Sequence, residues 1–314
     1  MELKNVLFRV SRAGFSLRLH DLEKIASAVK FGELHPKEES RAGFVNPVNY
    51  EDCEKFVAEA NEHLTICLRT DTKSIPPAAL KKALNKLIRA HTSAKGSPPS
   101  KAQKNELKSA AKAELLPKAL GNTKLLYAHF DLVAGRLLVE TTSAKAVEDL
   151  ITLLCKGGMT TEQSGGLSTV QTKGSPDTVL SSWVEVGHPS IAAFSFSQSC
   201  IMVEPVEKGP LAKVDRHDLS AEEVIHHINA GKLVREIGLH WAERLSFVLT
   251  RELGIKKLCS LGLIRNELKD ASTGADPAQA DEARFSILSS LIRMMLSEVL
   301  EAMGGLNLQA THPQ

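Results

Sequence analysis

Lys81, Lys82, Lys86 and Arg89 form one group of cations, and Lys101, Lys104, Lys108 and Lys112 form a second. Their steps of three and four residues set side chains above one another on a helix. The chemistry such rows can do is electrostatic: ammonium groups and one guanidinium facing a row of anions. From Lys73 to Lys124 there are twelve Lys/Arg against only Glu106 and Glu114, a segment charge of +10. The remaining residues, with 27 bases and 35 acids, carry −8, so the formal +2 of the 314-residue chain conceals a strong charge asymmetry. Helices shaped only for solubility interleave Glu with Lys at i, i+4. A segment so poor in acids points to a polyanion, of which nucleic acid is the commonest.

The elements that must position these cations are readable. In "IPPAALKKALNKLIRA", Leu80, Ala83, Leu84, Leu87 and Ile88 fall on one helical face, with the cations opposite. "TSAKGSPPS" reads as a turn, and Ser100 with Gln103 forms a capping box for a second helix over "KAQKNELKSAAKAELL". The result is a helical hairpin with one thin apolar seam. Before it, "NVLFRVS" and "HLTICLRT" read as strands and "HDLEKIASAV" as a helix. After it, "KLLYAHFDL" and "GRLLVETT" form a candidate β-hairpin, followed by a helix capped by Ser143. The hairpin arm is therefore an insertion in an α/β unit. "KGGMTTEQSGGLSTVQTKGSP" reads as a loop. Beyond it, "IAAFSFS", "CIMVEP", "KLVREIGLHW", "RLSFVLT" and "IKKLCSL" read as strands, interrupted by a helix capped by Ser220 and Glu223. A long C-terminal helix, whose apolar face needs a sheet or another subunit, closes the chain.

Other chemistries find little support. Gly231-Lys232 has His226 where a phosphate-binding loop needs its first Gly and Leu233 where it needs a hydroxyl; G-x-G-x-x-G, H-E-x-x-H and G-x-S-x-G are absent. His226 and His227 are adjacent and point about 100° apart on a helix, so they do not share an ion. Cys53, Cys67, Cys155, Cys200 and Cys259 lack any C-x-x-C spacing, which fits reduced thiols rather than zinc or a disulfide framework. No metal and no cofactor are expected. Glu106-x-Lys108 and Glu267-x-Lys269 resemble only the tail of a nuclease carboxylate motif. The N-terminus lacks a signal-peptide core, and no run reaches the roughly 18 apolar residues of a membrane span, so a cytoplasmic location is expected.

The arm also narrows the polyanion. It contains no aromatic residue, and aromatics are 4% of the chain, so base-stacking platforms for single strands are missing. Lys outnumbers Arg eleven to one within it, which favours phosphate contact over base readout. Duplex DNA bound without sequence preference is the expected partner.

Several segments, in this order, resemble the RdgC family of recombination-associated DNA-binding proteins. They are "FSLRLHDLEK", "GFVNP" from Gly43 to Pro47, "LTICLRTDTKSIPPAALKKAL", "LLPKAL", "SAKAVEDLITLL", "LSSWVEVG" and "DLSAEEVIHHINAGKLVREIGLHWAERLSFVL". The resemblance implies an α+β fold: a mixed α/β central region (1–73 and 121–178), a helical-hairpin tip arm (74–120), and a strand-rich base domain with a long C-terminal helix (179–314). It implies a non-enzymatic, nucleoid-associated homodimer that closes as a ring around duplex DNA and restrains RecA-driven recombination. Lys213, Arg216 and His217 are then expected in the ring's lumen, with His217 largely neutral near pH 7. Leu115, Leu116 and Leu120 are the expected apolar contribution to pairing of the tips. The alternatives are a metal-dependent DNA exonuclease, and a scaffold whose basic arm meets an acidic protein.

Overall fold

The computed structural model describes residues 3–50, 54–206, 209–271 and 276–307. In chain order the first region holds β1 (Leu7–Ser11), α1 (Leu19–Ala28), β2 (Ser40–Val45), β3 (Val57–Ala60) and β4 (His63–Ser74). The arm follows as α2 (Pro77–Lys95) and α3 (Lys101–Leu115), ending in a 3₁₀ turn at Leu116–Lys118. Next come β5 (Leu120–Asp131), β6 (Arg136–Val139), α4 (Ala144–Lys156), α5 (Thr161–Ser164), β7 (Leu167–Thr169) and α6 (Pro176–Val186). The last region holds β8 (Phe194–Val203), β9 (Leu211–Asp215), α7 (Glu222–Asn229), β10 (Leu233–Trp241), β11 (Leu245–Thr250), β12 (Ile255–Ser260), α8 (Gly262–Asp270) and α9 (Pro277–Ala302). This is an α+β fold with a long C-terminal helix.

Two antiparallel sheets organise these elements. The first has seven strands in the order β2-β4-β5-β6-β1-β7, with β3 pairing β4 beyond the reach of β2. The second has five, in the order β12-β11-β10-β8-β9. Alternation along β4 and β5 decides what each face of the first sheet meets. Leu64, Ile66, Leu68, Ala128 and Phe130 enter a core with Leu22 and Ile25 of α1 and Val147, Leu150 and Leu154 of α4. Phe8, Val10 and Leu138 point to the other side, into a core with Ile292, Met295, Leu296 and Val299 of α9. That second core also takes Ile237, Leu239, Phe247 and Leu249 of the five-stranded sheet.

The long helix is thus held between the two sheets. Full burial of a Leu, Ile or Met side chain contributes about 1.5–3 kcal/mol, and α9 supplies many. Polar contacts fix its register. Arg136 donates to the Arg293 carbonyl at 3.1 Å and to Ser297 Oγ at 3.0 Å, while Trp241 Nε1 donates to Glu298 at 2.8 Å. The sheets beside α9 cover the apolar face for which a partner was expected.

Several expectations are corrected. The stretch 156–176 is not simply a loop: Thr160 and Gln163 form a capping box for α5, and β7 pairs with β1. "IAAFSFS" and "CIMVEP" are one strand, β8, whose register against β10 slips twice. The first arm helix runs through Thr92 to Lys95, past the expected start of the turn, until Gly96 at φ 68° ends it. Ser220 and Glu223 do not cap α7: its N-cap is Ala221, because Ser220 Oγ donates to Asp218 instead. Strands β2, β3, β7 and β9 and helices α5, α6 and α8 go beyond the sequence reading.

Candidate nucleic-acid interface

The arm is carried at the end of the long strands β4 and β5, with β2 running beside β4 as far as Thr72. β4 and β5 pair over their full twelve residues, from His63↔Asp131 to Ser74↔Leu120. The core-proximal half is buried, and exposure rises toward Ser74 and Leu120 as the two strands leave the core. Arg69 braces them with a bidentate pair to Asp71 at 2.9 and 2.8 Å, and Thr123 Oγ1 donates to Asp71 at 2.8 Å. These contacts hold the Asp71 carboxyl below its ordinary range, chiefly through the Arg69 hydrogen bond.

Beyond the end of β4, α2 starts at Pro77, where a missing N–H costs nothing. Ser100 Oγ accepts from Gln103 N at 3.3 Å and Gln103 Oε1 accepts from Ser100 N at 2.9 Å, the reciprocal box read from the sequence. The seam between the helices is thin. Ala111 and Leu116 are buried, whereas Leu80, Ala83, Leu84, Leu87 and Ile88 are only half-buried.

Lys81, Lys82, Lys86 and Arg89 are exposed and line a concavity of about 780 Å³ along α2. Lys101, Lys104 and Lys108 are exposed along α3. Among the described residues none of these seven is ion-paired. Lys112, fourth in the α3 row, is different: its ammonium pairs with Glu39, just before β2, and so ties the arm to the body. Lys73 adds a second tie, donating to the carbonyls of His35 at 3.0 Å and Pro36 at 2.8 Å. Sequence reasoning missed both ties; the acid-rich "PKEES" could have signalled the Lys112 pair, whereas Lys73 meets only backbone carbonyls.

Leu115 is half-buried in the same concavity, Leu116 is buried within the chain's own packing, and Leu120 is 86% exposed. Lys213 lies exposed on β9, the outermost strand of the five-stranded sheet. Arg216 is exposed in the turn that follows, at φ 55°. His217 sits where its charged form is favoured. Its Nδ1 donates to the Asp218 carbonyl at 3.0 Å and its Nε2 faces the Glu223 carboxylate, so both ring nitrogens meet acceptors. That environment raises its pKa, the Asp218 carbonyl first and Glu223 next among the favourable influences. The arm cations are thus borne on helices that extend from the first sheet, whereas the Lys213–His217 group lies at the β9 edge of the second.

Cys67 and Cys200 are buried free thiols, each pushed up to about 12 chiefly by that burial; Cys155 and Cys259 are free and exposed, and Cys53 lies outside the described residues. Among the described residues no three His, Cys, Asp or Glu side chains are placed to hold a metal ion, and no helix is long and apolar enough to cross a membrane.

A family model described as "Putative exonuclease, RdgC" matches residues 1–306. Curated relatives share the name "Recombination-associated protein RdgC". That of Psychromonas ingrahamii is 26% identical over 284 residues, covering 90% of this chain and 92% of the relative. That of Aeromonas hydrophila is 29% identical over 310 residues, 97% and 98% of the two chains. That of Neisseria meningitidis serogroup C is 28% identical over 265 residues, 84% and 85%.

Proposed function

The chain belongs to the RdgC family, and from that premise we propose that it binds duplex DNA without sequence preference, through Lys and Arg contacts to phosphate. The observation that carries this reading is a group of seven exposed cations on the arm that make no ion pair among the described residues: Lys81, Lys82, Lys86, Arg89, Lys101, Lys104 and Lys108. Unpaired surface cations keep their counterions until a polyanion displaces them, and that release drives binding to DNA. Lys112 contributes less, since DNA must first compete with Glu39. Lys213, Arg216 and His217 form a second cationic group for the same duplex.

The assembly in this reading is a homodimer closed as a ring around DNA, nucleoid-associated and restraining RecA by occupying the duplex. Leu120, a large side chain left almost fully in water, is the best-placed apolar contributor to tip pairing; Leu115 sits deeper and Leu116 is already spent inside the chain. The family description keeps an exonuclease reading in view. Metal-dependent strand cleavage requires carboxylates converging on an ion; among the described residues no three His, Cys, Asp or Glu side chains are placed to hold one.

Charge reversal tests the arm. Lys101→Glu, Lys104→Glu and Lys108→Glu together should reduce duplex affinity at least tenfold and flatten the salt dependence by roughly two to three in slope, with an unchanged thermal melt. Equal affinity would remove α3 from the DNA path. Incubating labelled duplex with Mg²⁺ or Mn²⁺ separates the alternative: the binding reading predicts intact strands, and metal-dependent shortening abolished by chelator would establish the nuclease.

A further inference from the structure

A cavity of about 600 Å³ lies at the root of the arm, away from its tip, and its size falls within the roughly 300–1,000 Å³ of small-molecule sites. Its wall joins the segment after α1 to β2, to Tyr50 and Phe56, and to the outer part of β4 and β5. Three of the chain's ten Phe and one of its two Tyr meet there, namely Phe31, Phe44, Phe56 and Tyr50. The aromatic scarcity that leaves the arm without stacking platforms is reversed at this cavity. Phe44 and Phe56 are buried, Phe31 is half-buried, and Tyr50 keeps 46% of its surface in water. Arg69 is fixed twice: its edge by the bidentate pair to Asp71, and its face by the Phe31 ring, whose centroid is 4.4 Å from Cζ. The charges of the lining do not cancel. Asp71 is taken up by Arg69 and Thr123, whereas Lys73 meets only the carbonyls of His35 and Pro36, and Lys30 makes no ion pair among the described residues. Glu33 is the one other carboxylate of the lining.

We infer that this cavity is a nucleotide site, taking a single nucleobase against Phe31, Tyr50 and Arg69 with the attached phosphate on Lys30 and Lys73. Unstacked bases are held on aromatic rings and on Arg guanidinium planes, because every base offers a π-face. Lys offers phosphate a point charge with three donors. An apolar ligand would leave both lysines unanswered, and a simple anion would leave the rings idle. Both halves of the lining are used together by a planar aromatic group that carries an anion. Such a group comes from two sources, a free mononucleotide or an unpaired residue of a DNA strand, and the chemistry that recognises it is the same. The inference stands independently of duplex binding, because the arm cations lie on α2 and α3 and contact with a phosphate backbone calls for no rings.

Isothermal titration of the full chain with dAMP, deoxyadenosine and deoxyribose 5-phosphate tests it. The nucleotide should bind saturably and at least about tenfold more tightly than either of its halves. Tyr50→Ser and Lys30→Ala, both at exposed positions, should each weaken dAMP by about tenfold while leaving affinity for a fully paired duplex within about twofold. Lys101→Glu, Lys104→Glu and Lys108→Glu together should do the reverse, and circular dichroism checks that each variant folds. A duplex with one unpaired adenosine separates the sources. Tighter binding than to its paired counterpart, removed by Tyr50→Ser, assigns the site to strand-borne nucleotides; dAMP binding without that preference assigns it to free ones. No saturation by about 10 mM dAMP would overturn the inference. Equal affinity for dAMP and deoxyribose 5-phosphate would also overturn it, by reducing the cavity to point charges. So would dAMP affinity unchanged in both variants, or a shift of Tyr50→Ser from dimer to monomer in sedimentation, which would give the cavity to a second copy.

Discussion

Arg293 shows how single side chains lock this architecture. From the middle of α9 it reaches back to the first sheet, donating to Asp131 at 2.9 Å, Glu62 at 3.0 Å and the Asn61 carbonyl at 3.3 Å. Asp131 is 1% exposed, and removing its cation leaves a carboxylate buried beside a neutral imidazole. Arg293→Ala is therefore expected to cost about 3–5 kcal/mol, read from the midpoint of urea unfolding; a loss below about 1 kcal/mol would show the contact to be dispensable. His63 next to it makes a pH prediction. Burial is the main influence holding its pKa below the ordinary 6.5. The unfolded chain takes up a proton near pH 6.5 while the folded chain resists, so this contribution to stability is intact above that value and is lost as pH falls below it. Urea titrations should show stability declining from about pH 6.5 downward, with His63→Gln reducing the slope; identical slopes would assign the decline to other groups. Neither residue stood out in the sequence, because what distinguishes them is the partner: Arg293 and Asp131 lie 162 positions apart.

Elements with strong local determinants were legible, and those made by distant pairing were not. The capping box at Ser100 and Gln103, the 3.6-residue stripe of α2 and the β5–β6 hairpin are set by neighbours in sequence. Strands β2 and β3 exist because the β4 edge receives them, and three-residue β7 exists because β1 does. The same limit applied to the interface. Its cations were named from the sequence, but the Lys112–Glu39 tie needed elements far apart in the chain to meet. Gly43 on β2 illustrates the tertiary constraint. A Cβ built there would lie 2.5 Å from both Phe31 Cα and Phe31 N, backbone atoms of the neighbouring segment. Gly43→Ala should then force the two segments apart and cost about 1–3 kcal/mol in chemical denaturation, a penalty that Gly121→Ala, in open space, should not carry. Equal midpoints for the two variants would show that the crossing segment yields freely.

At the scale of the whole molecule, the design separates rigidity from charge. Two sheets and the helix between them make a body with a net negative remainder, and β4 and β5 carry the positive segment out to the arm. Placing the cations on a projecting hairpin keeps them away from the body's carboxylates, so that Glu39 is the one acid among the described residues recorded in an ion pair with an arm lysine. The central claim is that this field grips the phosphate backbone. The most direct test is fluorescence anisotropy of a labelled short duplex across a salt series, with chelator present. The account predicts a linear fall of log affinity with log salt, at a slope steeper than about −3, and the same affinity for scrambled sequences. No complex at low salt, or a slope near zero, would contradict it.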